Sequence, residues 1–179
     1  KLDGLKEKDL IGIPWLFAFA MRKDGWYLRQ DIIWHKPNPM PESVKDRCTK
    51  SHEYIFLFSK NRKYFYDNEA IKEPVKKDWG TRDRTQGKYH NTGTGLQPHS
   101  GLTKSYDRKN KRSVWSVSVK PYKEAHFATY PPDLIEPCIK AGSEEGDIVL
   151  DPFMGAGTTA AVAKSLNRHY IGCELNNDY

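Results

Sequence analysis

Cysteine is scarce in this sequence, and long apolar runs are absent. Cys48, Cys138 and Cys173 are the three cysteines among 179 residues. Their odd number and scattered positions predict neither a disulfide framework nor a metal site, and favour the reducing cytoplasm. His52-Glu53 lacks the second histidine that a zinc-protease motif needs three residues later. No apolar run reaches the roughly 18 residues of a membrane span, so we expect no membrane partner.

The charge of +6 is unevenly distributed along the chain. Residues 72–124 contain 13 basic and 5 acidic side chains, whereas residues 125–179 contain 3 and 8. Such a basic segment favours a polyanion partner, although it is also compatible with a solvated insert that binds nothing. Lysine and arginine can hold phosphates, and arginine can read base edges. The candidate DNA contacts in this segment are Arg82, Arg84, Lys88, Arg108, Lys109, Lys111 and Arg112.

Alternating helix and strand patterns predict an α/β fold. Apolar content predicts a largely buried helix over Leu10–Met21 and core strands at Tyr54–Phe58 and Asp147–Leu150. Pro132 begins a helix that Ala141-Gly142 ends. The other expected elements are strands at Trp26–Trp34, Ser113–Val119 and Tyr170–Cys173, and a helix at Ala160–Asn167. Three prolines make Lys36–Pro41 a stiff loop of the kind that carries function at strand ends.

The glycine-containing stretch Asp151–Thr159 lies between a predicted strand and a predicted helix. Gly155 and Gly157 allow the backbone to turn sharply and approach a ligand. The helix that follows presents free N–H groups and the positive end of its dipole. Glu174 ends the next strand, where a carboxylate can accept hydrogen bonds from two ribose hydroxyls. This strand, turn, helix, strand and acid together predict half of a doubly wound nucleotide site.

The same stretch contains Gly-x-Gly-x-x-Ala, so an NAD site is one alternative and a tight turn without a ligand is another. An NAD motif normally opens its domain, because further strand and helix units must hold the second nucleotide. The stretch here comes late, with little sequence after Glu174. This position counts against NAD, and the Asp151…Gly155-x-Gly157 pattern resembles the S-adenosyl-L-methionine loop of methyltransferases.

Taken together, these segments resemble the amino-directed DNA methyltransferases of the permuted, beta-type order. Nearly the whole chain is similar, and three separated motifs follow the family's order. One group of residues resembles the segment that follows the family's catalytic strand, namely Trp34–Pro41, Arg47 and His52–Tyr54. His126–Pro131 resembles the loop that covers the methionine part of the cofactor. Asp151–Thr159 resembles the cofactor loop, and Glu174 resembles the acid that binds the ribose.

The resemblance implies a Rossmann-like methyltransferase fold that is permuted and incomplete, with S-adenosyl-L-methionine as cofactor and double-stranded DNA as substrate. It implies a catalytic-half segment at 1–71, a basic target-recognition insert at 72–124 and a cofactor-binding half at 125–179. Lys36 and Asn38 join the candidate DNA contacts. The implied cofactor contacts are Phe127, Thr129, Asp151, Phe153, Gly155, Gly157, Thr158, Thr159 and Glu174.

The family's catalytic signature, Asp or Ser followed by Pro-Pro and an aromatic residue, does not occur in this sequence. We therefore expect a piece truncated at its N-terminus, with no catalytic residue in this chain and two part-sheets whose central edges lack a partner. The expected activity is methyl transfer to an exocyclic amino group, with cytosine N4 favoured over adenine N6. An inactive DNA-binding fragment and an NAD-dependent oxidoreductase are the alternatives. The resemblance leaves a restriction endonuclease partner and the oligomeric state open.

Overall fold

The computed structural model describes residues 4–75, 107–119 and 129–176, and the backbone of 82–83 and 102–103. The chain divides into two compact units, residues 1–70 with 112–179 and residues 71–111. In chain order the elements are α1 (Ile13–Lys23), β1 (Tyr27–His35), β2 (His52–Ser59), β3 (Glu73–Pro74), β4 (Arg82–Asp83), β5 (Leu102–Thr103), β6 (Arg108–Lys109), β7 (Val114–Ser116), α2 (Pro132–Gly142), β8 (Ile148–Asp151), α3 (Thr158–Ser165) and β9 (His169–Gly172).

The first sheet of the larger unit has the order β2-β1-β7. β1 and β2 are antiparallel, from Tyr27 opposite Ser59 to His35 opposite His52, whereas β1 and β7 are parallel. Their aromatic and β-branched residues suit a pleated, half-buried surface. Ile32, Trp34 and Trp115 from this sheet pack with Leu134 of α2 in one apolar core.

In the part of the chain that the structure describes, the second sheet consists of β8 and β9, which are parallel and joined through α3. The glycine-containing stretch lies between β8 and α3 of this βαβ unit, as the sequence predicted. Ile139 of α2 packs with Val162 and Ala163 of α3 in a second core, with Val149 of β8 against it. Val149 thus packs this sheet against the two helices, whereas all four residues of β9 are exposed.

The two sheets of this unit are separate, as the resemblance predicted. Within the described residues, neither β2 nor β8 has a second neighbouring strand. Both strands line a largely apolar cavity of about 550 Å³, with Glu53–Ile55 on one side and Ile148–Asp151 on the other. Strand edges without partners leave backbone groups unsatisfied and favour pairing with other strands.

The described part of the smaller unit contains short strand pairs. β3 pairs with β6 and β4 pairs with β5, both antiparallel. Each of these strands is two residues long. The absence of longer elements among the described residues of this unit agrees with the glycine-rich sequence of the segment. The boundaries of the three functional segments stay predictions.

The expectation of burial was wrong for α1 and β8. Only Ala18 of α1 is buried, while Leu16 and Phe17 are more than half exposed. Ile148 and Leu150 of β8 are each 63% exposed. One face of each element packs as expected, but no described layer covers the opposite face. The paired part of the strand predicted at Ser113–Val119 is also shorter, because only β7 pairs with β1.

Two broader features concern only the part of the chain that the structure describes. No helix there is long and apolar enough to cross a membrane. The same residues contain no group of three or more histidine, cysteine, aspartate or glutamate side chains that could hold a metal ion.

Candidate cofactor site

The loop between β8 and α3 is fixed by backbone hydrogen bonds to the end of β9. Met154 N–H donates to the Cys173 carbonyl at 2.9 Å, and Cys173 N–H donates to the Asp151 carbonyl at 3.0 Å. Gly155 and Gly157 have φ angles of 52° and 79°, in the left-handed region that favours glycine. The backbone therefore needs glycine at both positions, as the sequence predicted.

Glu174 lies directly beside this loop. Its Oε2 accepts a hydrogen bond from Gly155 N–H at 2.8 Å. Its Oε1 accepts hydrogen bonds from the N–H groups of Leu175 and Asn176, each at 2.9 Å. These bonds orient the carboxylate at the carboxyl end of β9, next to the glycine turn. The two features that predicted a nucleotide site are therefore in direct contact.

The beginning of α3 has the properties of an anion or ligand contact. Gly157 is the N-cap, and no side chain caps this helix end. A Cβ atom at Gly157 would meet no heavy atom within 4 Å, so open space lies beside the turn. Phe153 is 85% exposed at the rim of the loop. Thr158 is the first residue of the helix and is partly buried.

Asp151 and Thr159 have partners within the protein. Asp151 Oδ1 accepts Phe153 N–H at 3.0 Å, while Oδ2 accepts the Thr159 hydroxyl. The Tyr130 hydroxyl hydrogen-bonds to both Asp151 Oδ2, at 3.1 Å, and the Thr159 hydroxyl. Thr159 is only 4% exposed. These contacts give both residues a role in organising the loop, and their direct contact with the cofactor stays a prediction.

Tyr130 was missed as a site residue. It precedes Pro131-Pro132, and in sequence this looks like a turn that leads into α2. Burial is the main cause that raises the pKa of its hydroxyl, and the negative charge of Asp151 adds to the increase. Tyr130 therefore stays protonated near neutral pH and can donate a hydrogen bond. Thr129, next to it, is partly buried, while Phe127 lies outside the described residues.

The Pro-rich loop that follows β1 contacts neighbouring segments of the same unit. Asn38 Nδ2 donates to the Val119 carbonyl at 2.9 Å, and Asn38 Oδ1 accepts Val119 N–H at 3.0 Å. Lys36 forms an ion pair with Glu53, and its ammonium lies 4.3 Å from the Trp34 ring centroid. Both predicted DNA contacts thus have structural partners, and their role toward DNA stays a prediction.

The basic insert is only partly described. In the smaller unit, Arg108 donates to the Lys72 carbonyl at 3.0 Å, and Lys111 lies 3.4 Å from Glu73. Lys109 is partly buried in β6. In the larger unit, the Arg112 carbonyl accepts the Trp115 indole N–H. Only the backbone of Arg82 is described, and Arg84 and Lys88 lie outside the described residues.

The residues near the glycine turn suit the ribose hydroxyls and the flat base of S-adenosyl-L-methionine. An oriented carboxylate at Glu174 suits ribose hydroxyls, and the open space at Gly157 allows close approach of a ligand to the backbone. The exposed Phe153 ring offers an apolar surface to a flat base.

Curated relatives cover nearly the whole chain. This chain is 51% identical over 176 residues to the type II methyltransferase M.XycI of Xanthomonas campestris pv. cyanopsidis, and the match covers 98% of this chain and 49% of the relative. It is 50% identical over 177 residues to M.Cfr9I of Citrobacter freundii, covering 99% and 50%. The chain therefore spans about half the length of these relatives.

Solved structures confirm the predicted Rossmann-like methyltransferase fold. The PvuII DNA methyltransferase matches with a TM-score of 0.63 at 19% identity, over 93% of this chain and 56% of that one. The complex of M1.HpyAVI with S-adenosylmethionine matches with a TM-score of 0.61 at 23% identity, over 96% and 68%. The profile of the DNA methylase family, which comprises N6 and N4 methyltransferases, matches residues 4–179. The chain belongs to this DNA methylase family, whose methyl donor is S-adenosyl-L-methionine.

Proposed function

We propose that this chain supplies the cofactor-binding part of a DNA methyltransferase that modifies an exocyclic amino group. The observation that carries the proposal is the contact between the glycine turn and Glu174, in which Gly155 N–H donates to Oε2 at 2.8 Å. This contact brings the backbone turn and the acid together at the carboxyl ends of two parallel strands. Ligands of open α/β sheets bind at this edge.

This geometry supports the proposed cofactor contacts beside the turn, and the resemblance of His126–Pro131 to the family's covering loop supports the others. Glu174 binds the ribose, and the turn at Gly155 and Gly157 allows the backbone to approach the ligand. Phe153 contacts the adenine, while Phe127 and Thr129 belong to the loop that covers the methionine part. The chemistry that the bound cofactor supplies is an electrophilic methyl group. The chain's own contribution is to orient that group toward the acceptor, which is a proximity effect.

The acceptor is a base that leaves the DNA stack before it reacts. The lone pair of an exocyclic amino nitrogen is delocalised into the ring, so groups that accept its hydrogens are needed to release it. The Ser or Asp, Pro-Pro, aromatic signature that carries these groups in the family does not occur in this sequence. We assign this part of the reaction to polypeptide outside the sequence.

Double-stranded DNA is the proposed substrate of the basic insert. Its excess of basic side chains suits a phosphate backbone. Such binding would also occur in a catalytically inactive fragment, which is the second candidate and is favoured by the absent signature. A restriction endonuclease with the same recognition sequence is a possible partner, since the relatives are named type II methyltransferases. The DNA substrate favours a cytoplasmic location.

Cytosine N4 is the proposed target, with adenine N6 as the alternative. The Lys36–Pro41 and His126–Pro131 segments are more similar to the cytosine-N4 branch of the family. Incubation of DNA and methyl-labelled cofactor with this chain joined to the polypeptide that carries the signature, followed by mass spectrometry of the nucleosides, tests both the activity and the base. N4-methylcytosine supports the full proposal, whereas N6-methyladenine keeps the activity and overturns the base. DNA binding without any methylated nucleoside supports the inactive fragment.

A further inference from the structure

Tyr130 occupies a junction between the apolar core and the cofactor loop. Its side chain packs against the cluster formed by Ile32, Trp34, Trp115 and Leu134. Its hydroxyl extends in the other direction, to the end of β8 and the beginning of α3. The ring is thus anchored while the hydroxyl reaches two residues that border the glycine turn.

Tyr130, Asp151 and Thr159 form a compact hydrogen-bonded group. The Tyr130 and Thr159 hydroxyls lie within hydrogen-bond distance of each other and of Asp151 Oδ2, and their two protons make two of these three contacts at a time. Because Thr159 is buried, water cannot easily replace these partners. Hydrogen bonds to an ionised carboxylate are also stronger than those between neutral groups. The group therefore links three segments that are distant in sequence.

The remaining oxygen of the carboxylate extends this link into the turn. Asp151 Oδ1 accepts Phe153 N–H at 3.0 Å, so a rotation of the carboxylate would move the backbone at the beginning of the loop. The Asp151 carbonyl accepts Cys173 N–H, one residue before Glu174. A displacement at Asp151 would thus reach both the loop and the acid that contacts it.

We infer that Tyr130 is a positioning residue whose hydroxyl, through Asp151 and Thr159, fixes the glycine turn for the methyl donor. The inference rests on the proposed cofactor site and adds a residue to it. The tyrosine therefore does more than fill the core, because its hydroxyl connects the segment that contains Thr129 to Asp151 and Thr159.

Replacing Tyr130 by Phe tests this inference, because it removes the hydroxyl and keeps the ring. We expect S-adenosyl-L-methionine to bind about tenfold more weakly, the effect of one lost hydrogen bond to a charged group. Thr159→Val should weaken binding similarly, and the double variant should be little worse than either single one. Thr159→Ser retains a hydroxyl and should restore most of the affinity. Tyr66→Phe is the control, because Tyr66 also has a raised pKa, although this residue is 40% exposed.

Amide NMR spectra without the cofactor separate this inference from the proposed function. Tyr130→Phe and Thr159→Val should shift the amide signals of Gly155 and Gly157, and Tyr66→Phe should not. Unchanged glycine signals in folded Tyr130→Phe would overturn the inference, whatever the chain binds. Shifted signals in a chain that binds no S-adenosyl-L-methionine would support the positioning role and count against the proposed function. Equal cofactor affinity of the wild type and Tyr130→Phe would also overturn the inference.

Discussion

Glu174 Oε2 and Gly155 N–H are 2.8 Å apart, so the acid at the end of β9 directly contacts the turn that follows β8. The two residues are 19 positions apart in sequence. Each alone is weak evidence for a nucleotide site. Their contact determines where the carboxylate lies relative to the open space at Gly157, and the first prediction depends on that geometry.

Glu174→Gln should weaken S-adenosyl-L-methionine binding by about 10- to 100-fold, since hydrogen bonds to a charged group contribute about 1.5–3 kcal/mol. The amide retains the size of the side chain but loses the negative charge. Glu145→Gln is the control, because Glu145 is exposed in the turn before β8. Calorimetric titration of both variants measures the difference. Equal affinities would show that Glu174 does not bind the ribose.

Gly157→Ala should prevent or strongly weaken cofactor binding. The substitution costs roughly 1–2 kcal/mol at a positive φ, because a Cβ atom is strained there. Its methyl group would also enter the space beside the turn. Gly146→Ala is a matched control, with a φ of 87° and no heavy atom within 4 Å of its Cβ. Both variants should lose similar stability in urea unfolding, but only Gly157→Ala should lose affinity. A parallel loss in both would contradict a ligand at Gly157.

The third prediction concerns four basic residues of the insert, Arg108, Lys109, Lys111 and Arg112. Replacing all four by Gln should weaken DNA binding and make the affinity less dependent on salt concentration. Each phosphate contact contributes about 0.9 to the slope of log K against log salt. Lys111 and Arg108 already have partners in the protein, so we expect a decrease in slope of about 1 to 3. The control neutralises four exposed lysines elsewhere: Lys6, Lys8, Lys63 and Lys164. Fluorescence anisotropy at several salt concentrations measures the slopes, and equal slopes would make the insert a solvated loop.

Tyr130 should make the free energy of unfolding depend on pH in the alkaline range. Burial raises its pKa in the folded protein above the ordinary value. The stabilisation is therefore fully present below the unfolded pKa of about 10 and is lost as pH rises through the folded pKa. Urea unfolding of wild type and Tyr130→Phe between neutral and alkaline pH should give a shallower decrease for the variant. Tyr66 also has a raised pKa but contributes equally to both proteins. Identical curves would contradict a buried, protonated Tyr130.

Local features were predictable from the sequence. The unit from β8 to β9 lies within 25 residues, and its glycines, strand patterns and terminal acid have direct local causes. The short strand pairs of the insert agree with its many glycines. The predicted helices and strands of the larger unit were close to their final bounds, whereas the four short strands of the insert were not predicted.

Long-range contacts were not predictable in the same way. Asn38 and Val119 are 81 residues apart, and Tyr130 and Asp151 are 21 apart. Neither pair has a sequence pattern that indicates a contact. Burial also depended on distant layers, so Leu16 and Ile148 were expected to be inside but are exposed. An apolar pattern predicts which face can be covered, but the presence of a covering layer depends on the rest of the fold.

Calorimetric titration of the wild-type chain with S-adenosyl-L-methionine, and separately with NADH, tests the central claim most directly. The contact between Glu174 and the glycine turn, together with the family of the chain, predicts saturable binding of S-adenosyl-L-methionine at one site and no binding of NADH. Binding of NADH without binding of S-adenosyl-L-methionine would contradict the assignment of this loop as a methyl-donor site.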